Sequence, residues 1–291
     1  MAELLTTTVF YQNTVREYSG NVVHQVSPEN RKENLLSRLS RSSRKAYYQQ
    51  EDYSLRYRDF THKVFRDSNI LNEAWHRYGI QYMGTYRYDK YLAGSSTDST
   101  SLRQVAEQII LELASQGYKN KIMQGIFKKD PRLYYHSIEV MCVAMTMARH
   151  IGYDMDSIHD IGVAAVLHDI GKVFLPHELL HLTKEPTDLQ RKKLQKVPVI
   201  SASVAKRAGF NKANIIDSIL SHQENYIGNG YPFAKMQKEI HPFGMLIHVA
   251  DDYDTMVLRK RSPESIKNYI MKMACRRYSF AAVNAFNDLF Q

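Results

Sequence analysis

The chain of 291 residues carries a formal net charge of +9, and 44% of its residues are hydrophobic and 24% are charged. This balance is typical of a soluble globular protein with one large or two ordinary domains, and it excludes a predominantly disordered chain. The excess of basic residues favours acidic partners such as nucleotides or nucleic acid, although it indicates nothing about the fold.

The cysteines and the first residues indicate the compartment. Cys142 and Cys275 are the two cysteines of the chain, and their wide separation excludes a disulfide framework and favours a reducing environment. Residues 1–10 lack the basic start and long apolar core of a secretion signal. The longest apolar run, residues 140–148, is too short to span a bilayer. We therefore predict a cytoplasmic protein without a transmembrane segment.

Residues 1–100 are predicted to form a separate, mainly helical N-terminal region. Residues 28–91 have helical spacing and are rich in arginine and tyrosine. Basic residues interleaved with aromatic ones can bind nucleic acid, but a small helical domain or a dimerisation surface explains the same pattern, and we favour it. Residues 94–101 read Gly-Ser-Ser-Thr-Asp-Ser-Thr-Ser and predict a linker. The second domain then comprises residues 101–291.

Residues 101–291 follow the helical period and contain no convincing alternating strand, so they predict an all-α domain. Ser101 and Gln104 match a capping box at the first predicted helix. Asp156 or Ser157 is expected to cap a third helix that leads to Gly171. The other predicted helices span 102–115, 131–147, 187–208, 212–224, 241–259 and 263–290.

A His-Asp pair at the end of the third predicted helix carries the strongest chemical signal. His168 and Asp169 are an unusual pair to bury beside an apolar helix, because buried polar groups need partners. A metal ion is the partner that suits an imidazole next to a carboxylate. Lys172 lies about one helical turn beyond His168 and can point at the same spot. A cation beside a metal site indicates an anionic substrate, with phosphate as the favoured group.

Further motifs surround this pair in a fixed order. They are Tyr134-Tyr135-His136-Ser137, Leu167-His168-Asp169-Ile170-Gly171-Lys172, Leu175-Pro176, Ser221-His222-Gln223-Glu224, Gly228-Asn229-Gly230-Tyr231-Pro232 and Leu246-Ile247-His248-Val249-Ala250-Asp251-Asp252-Tyr253-Asp254. The series resembles the HD-GYP branch of the HD-domain metal-dependent phosphohydrolases over roughly residues 120–291.

The resemblance implies an all-helical HD-domain bundle with phosphodiesterase activity on cyclic di-GMP, a bacterial second messenger. Imidazoles and carboxylates suit a divalent transition metal such as iron or manganese. The Gly230-Tyr231-Pro232 surface would contact a signalling protein. The implied site residues are His136, His168, Asp169 and Asp251 for one metal, Asp169 with His222 for a second, Asp169 and Lys172 for catalysis, and Lys172, Tyr231, Arg259 and Lys260 for substrate binding.

The chain departs from this family where further metals would be held. Val197-Pro198 stands in place of a ligating His-Pro dipeptide, Gln223 replaces the second of two adjacent histidines, and Arg132 replaces a Glu that holds a third metal in some members. We therefore expect one strong metal site and weak or altered turnover, since a lost cation no longer stabilises the transferring phosphoryl group. The alternative is a catalytically degenerate domain that serves as a cyclic-dinucleotide receptor or a protein-interaction module.

A second metal-binding pattern lies nearby. Residues 177–181 read His-Glu-Leu-Leu-His and match the HExxH pattern of zinc proteases. Pro176 precedes them, and the segment falls where the resembled family has an ordinary helix start, so we do not expect a protease. His241 and His248 lie outside the family's ligand positions and are interpreted as structural.

Overall fold

The computed structural model describes residues 97–289, apart from Gln116, His181 and Thr183, as a helical bundle. Within that range the all-α prediction is confirmed, and the nearest approach to a sheet is one isolated bridge between Ala274 and Tyr278. The predictions for residues 1–96 lie outside the described residues. The helices are α1 (Thr97–Ala114), α2 (Tyr118–Lys129), α3 (Pro131–Ile151), α4 (Met155–Leu167), α5 (His177–Leu180), α6 (Asp188–Leu194), α7 (Val197–Arg207), α8 (Ala213–Ser221), α9 (Pro242–Leu258), α10 (Pro263–Lys272) and α11 (Phe280–Leu289), with 3-10 turns at Ile170–Phe174 and Gln237–Glu239.

Two helix starts differ from the sequence prediction. Because α1 begins at Thr97, residues 97–101 are helical instead of forming a linker, and Ser101 lies inside the helix instead of capping it. Helix α4 is capped by Asp154, whose side chain accepts a hydrogen bond from Ser157 N, and not by Asp156 or Ser157. The division into residues 1–100 and 101–291 stays a prediction. Among the helices described, none combines the length and apolarity needed to cross a bilayer.

Three interior boundaries also differ. Helix α2 was missed because its sequence is largely polar, and Gly117 turns the chain before it with a φ of +95°. The predicted helix 187–208 is two helices, since Pro198 lacks an N–H group and therefore lies in the first turn of α7. The predicted helix 263–290 is interrupted between α10 and α11, where Cys275 adopts a φ of +58°.

Helix α3 is the centre of the bundle and packs against α2, α4, α9 and α11. Its buried residues run from Leu133 to Ala148 with few interruptions, so the helix is enclosed around most of its circumference. Such burial is typical of a helix that is surrounded by other helices. His136 lies within this buried stretch, near the start of the helix, and its imidazole is therefore held in the core.

The 3-10 turn that follows α4 is pressed against α7. Gly171 N donates to Ser201 Oγ at 2.9 Å. A Cβ atom on Gly171 would lie 2.7 Å from Val197 O and 3.0 Å from Ile200 Cβ. The turn can approach α7 this closely only because Gly171 has no side chain, and this approach sets the direction of the residues on either side.

Helices α5 and α6 lie outside the main core. Leu175, Leu179 and Val197 form a separate apolar cluster, and Leu180, Leu182 and Leu194 pack against it. Helix α6 buries none of its own residues. The flank that follows the 3-10 turn is therefore attached to α7 by a small apolar contact.

A partly buried polar network connects the C-terminal segment to α9. Asp252 accepts hydrogen bonds from Arg277 Nε at 2.6 Å and Nη2 at 3.1 Å, and from the Tyr278 hydroxyl at 2.6 Å. One turn earlier on α9, His248 donates from Nδ1 to Glu224 O at 3.0 Å, and its ring lies edge-on to Tyr278. Burial, followed by the Arg277 guanidinium, lowers the pKa of His248 to about 3, so the imidazole is neutral in the folded protein.

The close packing of the 3-10 turn predicts a contrast between two glycine variants. Gly171→Ala should lower the free energy of unfolding by about 1–3 kcal/mol, because the new methyl group meets a backbone carbonyl. Gly162→Ala on α4 is the matched control, because its Cβ would meet Ile109 Cδ1 at 2.5 Å and Met145 Sδ at 2.8 Å, which are flexible side-chain ends. Urea denaturation should show the larger loss in Gly171→Ala, and the reverse order would contradict this account of the turn.

The depressed pKa of His248 predicts that stability falls in acid. The unfolded imidazole takes up a proton near pH 6.5, whereas the folded one does so only near pH 3, so stability is lost as the pH falls through this window. Within this window, each pH unit of acidification lowers the free energy of unfolding by up to about 1.4 kcal/mol for one such group. His248→Asn, which keeps an N–H donor, should flatten the slope of unfolding free energy against pH in metal-free buffer. Exposed His150→Asn is the control, and equal slopes in wild type and His248→Asn would refute the assignment.

Candidate metal centre

Four side chains from three parts of the chain converge on one point. His136 comes from α3, His168 and Asp169 from the end of α4, and Asp251 from α9. One ligand atom of each lies within 4.8 Å of the others, and all four residues are buried. His136 Nε2 is 3.2 Å from Asp251 Oδ1, and His168 Nε2 is 3.3 Å from Asp169 Oδ2. The structure thus brings together the four residues assigned to the first metal.

The imidazoles of the centre are oriented through their Nδ1 atoms. His136 Nδ1 donates to Asp254 Oδ2 at 2.6 Å. His168 Nδ1 donates to Ala165 O at 2.6 Å, and His222 Nδ1 donates to Ile219 O at the same distance. Each ring therefore directs Nε2 towards the carboxylates. In metal sites, a hydrogen bond at the non-ligating nitrogen fixes the tautomer that can bind the metal.

The electrostatics of the centre favour positive charge. Burial alone would lower the pKa of His136, but hydrogen bonds to Asp251 and Asp254 raise it to about 10. Burial would raise the pKa of Asp169, but the Lys172 ammonium and the His168 imidazole hold it well below its ordinary value. The His136 hydrogen bond similarly lowers the pKa of Asp251 against the effect of burial. Both carboxylates therefore stay ionised and present a negative pocket to a cation.

The donor set fits a divalent transition metal. Two imidazole nitrogens and two carboxylate oxygens are ligands that iron and manganese accept. Among the described atoms, His168 Nε2 is buried without a hydrogen-bond partner. A buried polar atom without a partner is costly, and coordination of a metal would satisfy this one.

His222 lies at the edge of the cluster and not within it. Its Nε2 is 3.9 Å from Asp169 Oδ1, whereas His136 and His168 approach the other oxygen, Oδ2. Its ring centroid is 4.9 Å from that of His168. Burial and the neighbouring His168 lower the pKa of His222 to about 4, so it is a neutral imidazole. His222 is thus close to Asp169 but is not part of the four-residue cluster.

The two replaced ligand positions have other roles in this chain. The Val197 side chain packs in the apolar cluster with Leu175 and Leu179. Gln223 Nε2 donates to Asp251 Oδ2 at 2.7 Å, so the amide presents N–H groups where the resembled family has an imidazole ligand. Arg132 is largely exposed, and its Nε lies 3.4 Å from Asp130 Oδ1. At these two positions the structure therefore places an apolar side chain and a hydrogen-bond donor.

The residues assigned to substrate divide into near and distant groups. Lys172 forms an ion pair with Asp169 while 30% of its side chain stays exposed. Tyr231 is half-buried and lies within electrostatic reach of Asp169. Arg259 and Lys260 instead follow the end of α9 and are exposed. They come eight and nine residues after Asp251, a separation of about 12 Å along a helix.

The GYP segment, Gly230-Tyr231-Pro232, is less accessible than the sequence implies, whereas His177 and Glu178 of the HExxH pattern are exposed. Gly230 and Pro232 are buried, and in the preceding turn Ile227 and Asn229 are exposed. A Cβ on Gly230 would lie 2.2 Å from Asn225 N, so the segment is folded back on itself. His177 begins the four-residue helix α5, and the second histidine of the HExxH pattern lies outside the described residues.

Sequence reasoning missed two residues beside the metal centre. Asp254 orients His136 across 118 positions of sequence, and Arg277 pairs with Asp252, next to Asp251 of the cluster. The spacing of Asp254, three residues after Asp251 on one helix, was an available signal, because such residues share a face. No local pattern marks Arg277, since its partner is 25 positions away.

Comparisons with known proteins agree with this geometry. The family model of the HD domain matches residues 121–278. A cyclic di-GMP phosphodiesterase of Pseudomonas aeruginosa is 29% identical over 127 residues, which are 44% of this chain and 31% of the relative. A cyclic di-GMP phosphodiesterase of Thermotoga maritima is 24% identical over 228 residues, 76% of this chain and 60% of the relative. The chain thus spans less than two thirds of the length of either relative.

A solved structure shows the same fold. The HDG"Y"P protein Bd1817 of Bdellovibrio bacteriovorus aligns with a TM-score of 0.51 at 14% identity, over 82% of this chain and 80% of the other. The family-model match covers more than half of the chain and includes all four residues of the cluster. The resemblance seen in the sequence is confirmed, and the chain belongs to the HD-domain family.

Proposed function

We propose that this domain is a metal-dependent phosphohydrolase that binds cyclic di-GMP and hydrolyses it slowly. The observation that carries the proposal is the convergence of His136, His168, Asp169 and Asp251 on one buried, negatively charged point. The names of the Pseudomonas and Thermotoga relatives support the choice of substrate. The net charge of +9 is favourable for an anionic ligand.

Two side chains beside the cluster suit a phosphodiester. A divalent ion held by the cluster would supply a Lewis acid for a phosphate oxygen and for the attacking water. Lys172 is charged and partly exposed beside Asp169, so its ammonium can meet a phosphate oxygen as negative charge develops there. Burial, with the charges of Asp169 and Asp251, raises the pKa of Tyr231, so its hydroxyl keeps its proton and can donate to the same anion.

We further propose that one iron or manganese ion is bound per chain. His222 Nε2 and Asp169 Oδ1, 3.9 Å apart, are the ligand atoms that support a second position. Val197 contributes an apolar contact and Gln223 a hydrogen-bond donor at the positions where further ligands would be needed. With one cation in place of two, less positive charge is available to stabilise the transferring phosphoryl group, so turnover should be slow.

A non-catalytic receptor for the cyclic dinucleotide is the second candidate. The observation that favours it is the Gln223–Asp251 hydrogen bond, which occupies a ligand oxygen with a donor. A protein partner would meet the turn before the GYP segment at exposed Ile227 and Asn229, because Gly230 is buried. The proposed setting is the cytoplasm, consistent with the free thiols of Cys142 and Cys275.

Metal loading tests the one-ion proposal. After anaerobic loading with Fe²⁺ or with Mn²⁺ and removal of excess metal, elemental analysis should give about one ion per chain, since four protein ligands are available at one site. His168→Ala should lose most of this metal, whereas the control His150→Ala, which changes an exposed histidine, should keep it. Two tightly held ions in the wild type, or none, would contradict the proposal.

Turnover of the loaded protein separates the two candidate functions. The phosphohydrolase should convert cyclic di-GMP to a linear product slowly, and His168→Ala should abolish this conversion. The double variant Val197→His/Gln223→His restores imidazoles at both replaced positions and should raise metal content towards two ions and increase the rate. Binding of cyclic di-GMP without any product would support the receptor instead.

The Asp254–His136 hydrogen bond predicts a loss of metal affinity without loss of a ligand. Asp254→Asn removes the negative charge that holds the His136 ring, and the Kd for Mn²⁺ should rise about 10- to 100-fold. Asp288→Asn is the matched control, because it changes an exposed carboxylate paired with His150 at 3.2 Å. Equal Mn²⁺ affinities in wild type and Asp254→Asn, measured by competition with a chelator, would show that Asp254 does not position the ligand.

A further inference from the structure

A partly exposed arginine lies on the C-terminal side of the metal centre and is not one of the metal ligands. Arg277 contacts Asp252 through Nε and Nη2, and 30% of its side chain is exposed. Asp252 directly follows the ligand Asp251 on α9. This contact uses one edge of the planar guanidinium, so Nη1 and the outer N–H of Nη2 point away from Asp252. Two parallel N–H groups of this kind suit a phosphate.

The loop of residues 223–231, which leads into the GYP segment, connects Arg277 with the metal centre. At one end, Gln223 Nε2 donates to Asp251, and Tyr231 N donates to Gln223 O at 3.0 Å. At the other end, Tyr226 N donates to Arg277 O at 3.1 Å. The Tyr231 hydroxyl lies within electrostatic range of Asp169, Asp251 and the Arg277 guanidinium. The loop that contains Tyr231 is thus joined by hydrogen bonds to Asp251 at one end and to the Arg277 backbone at the other.

Arg277 is better placed to bind a phosphate near the metal centre than Arg259 and Lys260, the basic residues named from the sequence. Arg259 and Lys260 lie past the end of α9 and are exposed, about two helical turns from Asp251. Arg277 pairs with the residue next to Asp251 and is held in place by two hydrogen bonds. A guanidinium fixed in advance loses less conformational entropy on binding than a free side chain.

We propose that Arg277 binds the phosphodiester of cyclic di-GMP that is not attacked, while the metal centre and Lys172 bind the one that is. This inference rests on the proposed function. A cyclic dinucleotide carries two phosphodiesters, and a centre with one metal can neutralise only one of them directly. Arg277 then acts as a specificity residue, because it favours a ligand with two phosphates over one with a single phosphate.

The test compares two ligands on the metal-loaded protein. Arg277→Gln should raise the Kd for cyclic di-GMP about 10- to 100-fold, as expected for loss of a charged hydrogen-bonding pair, and should change the Kd for GMP by less than about twofold. The Kd of Arg277→Lys for cyclic di-GMP should fall between those of wild type and Arg277→Gln. An ammonium keeps the charge but lacks the two parallel N–H groups of a guanidinium. The matched control is Arg276→Gln, the same change of charge at the exposed neighbouring residue, which should leave both Kd values unchanged.

A second variant separates phosphate binding from a structural role. In Arg277→Gln, Asp252 keeps the Tyr278 hydroxyl as a donor, and metal content reports whether the centre is intact. Asp252→Asn breaks the same ion pair but leaves the guanidinium, so it should weaken cyclic di-GMP binding much less than Arg277→Gln does. Equal effects of the two variants, or equal weakening of GMP and cyclic di-GMP by Arg277→Gln, would overturn the inference.

The wild-type measurements separate this inference from the proposed function. A wild-type protein that takes up metal but does not bind cyclic di-GMP contradicts the proposed function itself. A wild-type protein that binds it, with Arg277→Gln indistinguishable from Arg276→Gln, contradicts only the role of Arg277.

Discussion

The burial of two carboxylates beside three imidazoles at one point is the constraint on which the rest of the site depends. Asp169 and Asp251 are removed from water at the centre of the bundle, and an isolated buried carboxylate is strongly disfavoured. Both stay ionised because cations surround them, namely Lys172 and the His136 imidazole with its raised pKa. The fold therefore concentrates negative charge where a metal ion can replace the imidazole proton. The same contacts also make the positions of the four clustered side chains rigid.

That rigidity comes from ordinary packing around the His-Asp pair. Helix α4 ends at Leu167, and the 3-10 turn then brings Gly171 against the backbone of α7. His168 and Asp169 are consequently held between a helix end and a tight turn, and Lys172 returns to Asp169. On the opposite side, α3 and α9 contribute His136 and Asp251 from the buried faces of two packed helices. Each ligand is thus placed by an element whose position the core determines.

Much of the fold and of the site could be predicted from the sequence, because the deciding signals are local. The helical period indicated an all-α domain, and the ordered motifs named the four clustered ligands before any contact was known. The helix breaks before Pro198 and at Cys275 were missed, because the apolar periodicity continues across both positions. The backbone nevertheless leaves the helical conformation there. Asp254 and Arg277 were missed for a different reason. Each acts through a partner that only the tertiary fold brings close. The spacing of Asp254 from Asp251 marked a shared helix face but not the contact with His136, and Arg277 stands in no recognisable pattern.

The separate apolar cluster of Leu175, Leu179 and Val197 has a consequence for motion. Helix α6 buries no side chain, and the flank formed by α5 and α6 is joined to α7 through a contact of few residues. Segments with so little buried surface open at a free energy far below that of global unfolding. We therefore expect the amide hydrogens of this flank to exchange with solvent faster than those of α3. Local opening here would leave His136, His168, Asp169 and Asp251 in place, because the main core and not this cluster positions them.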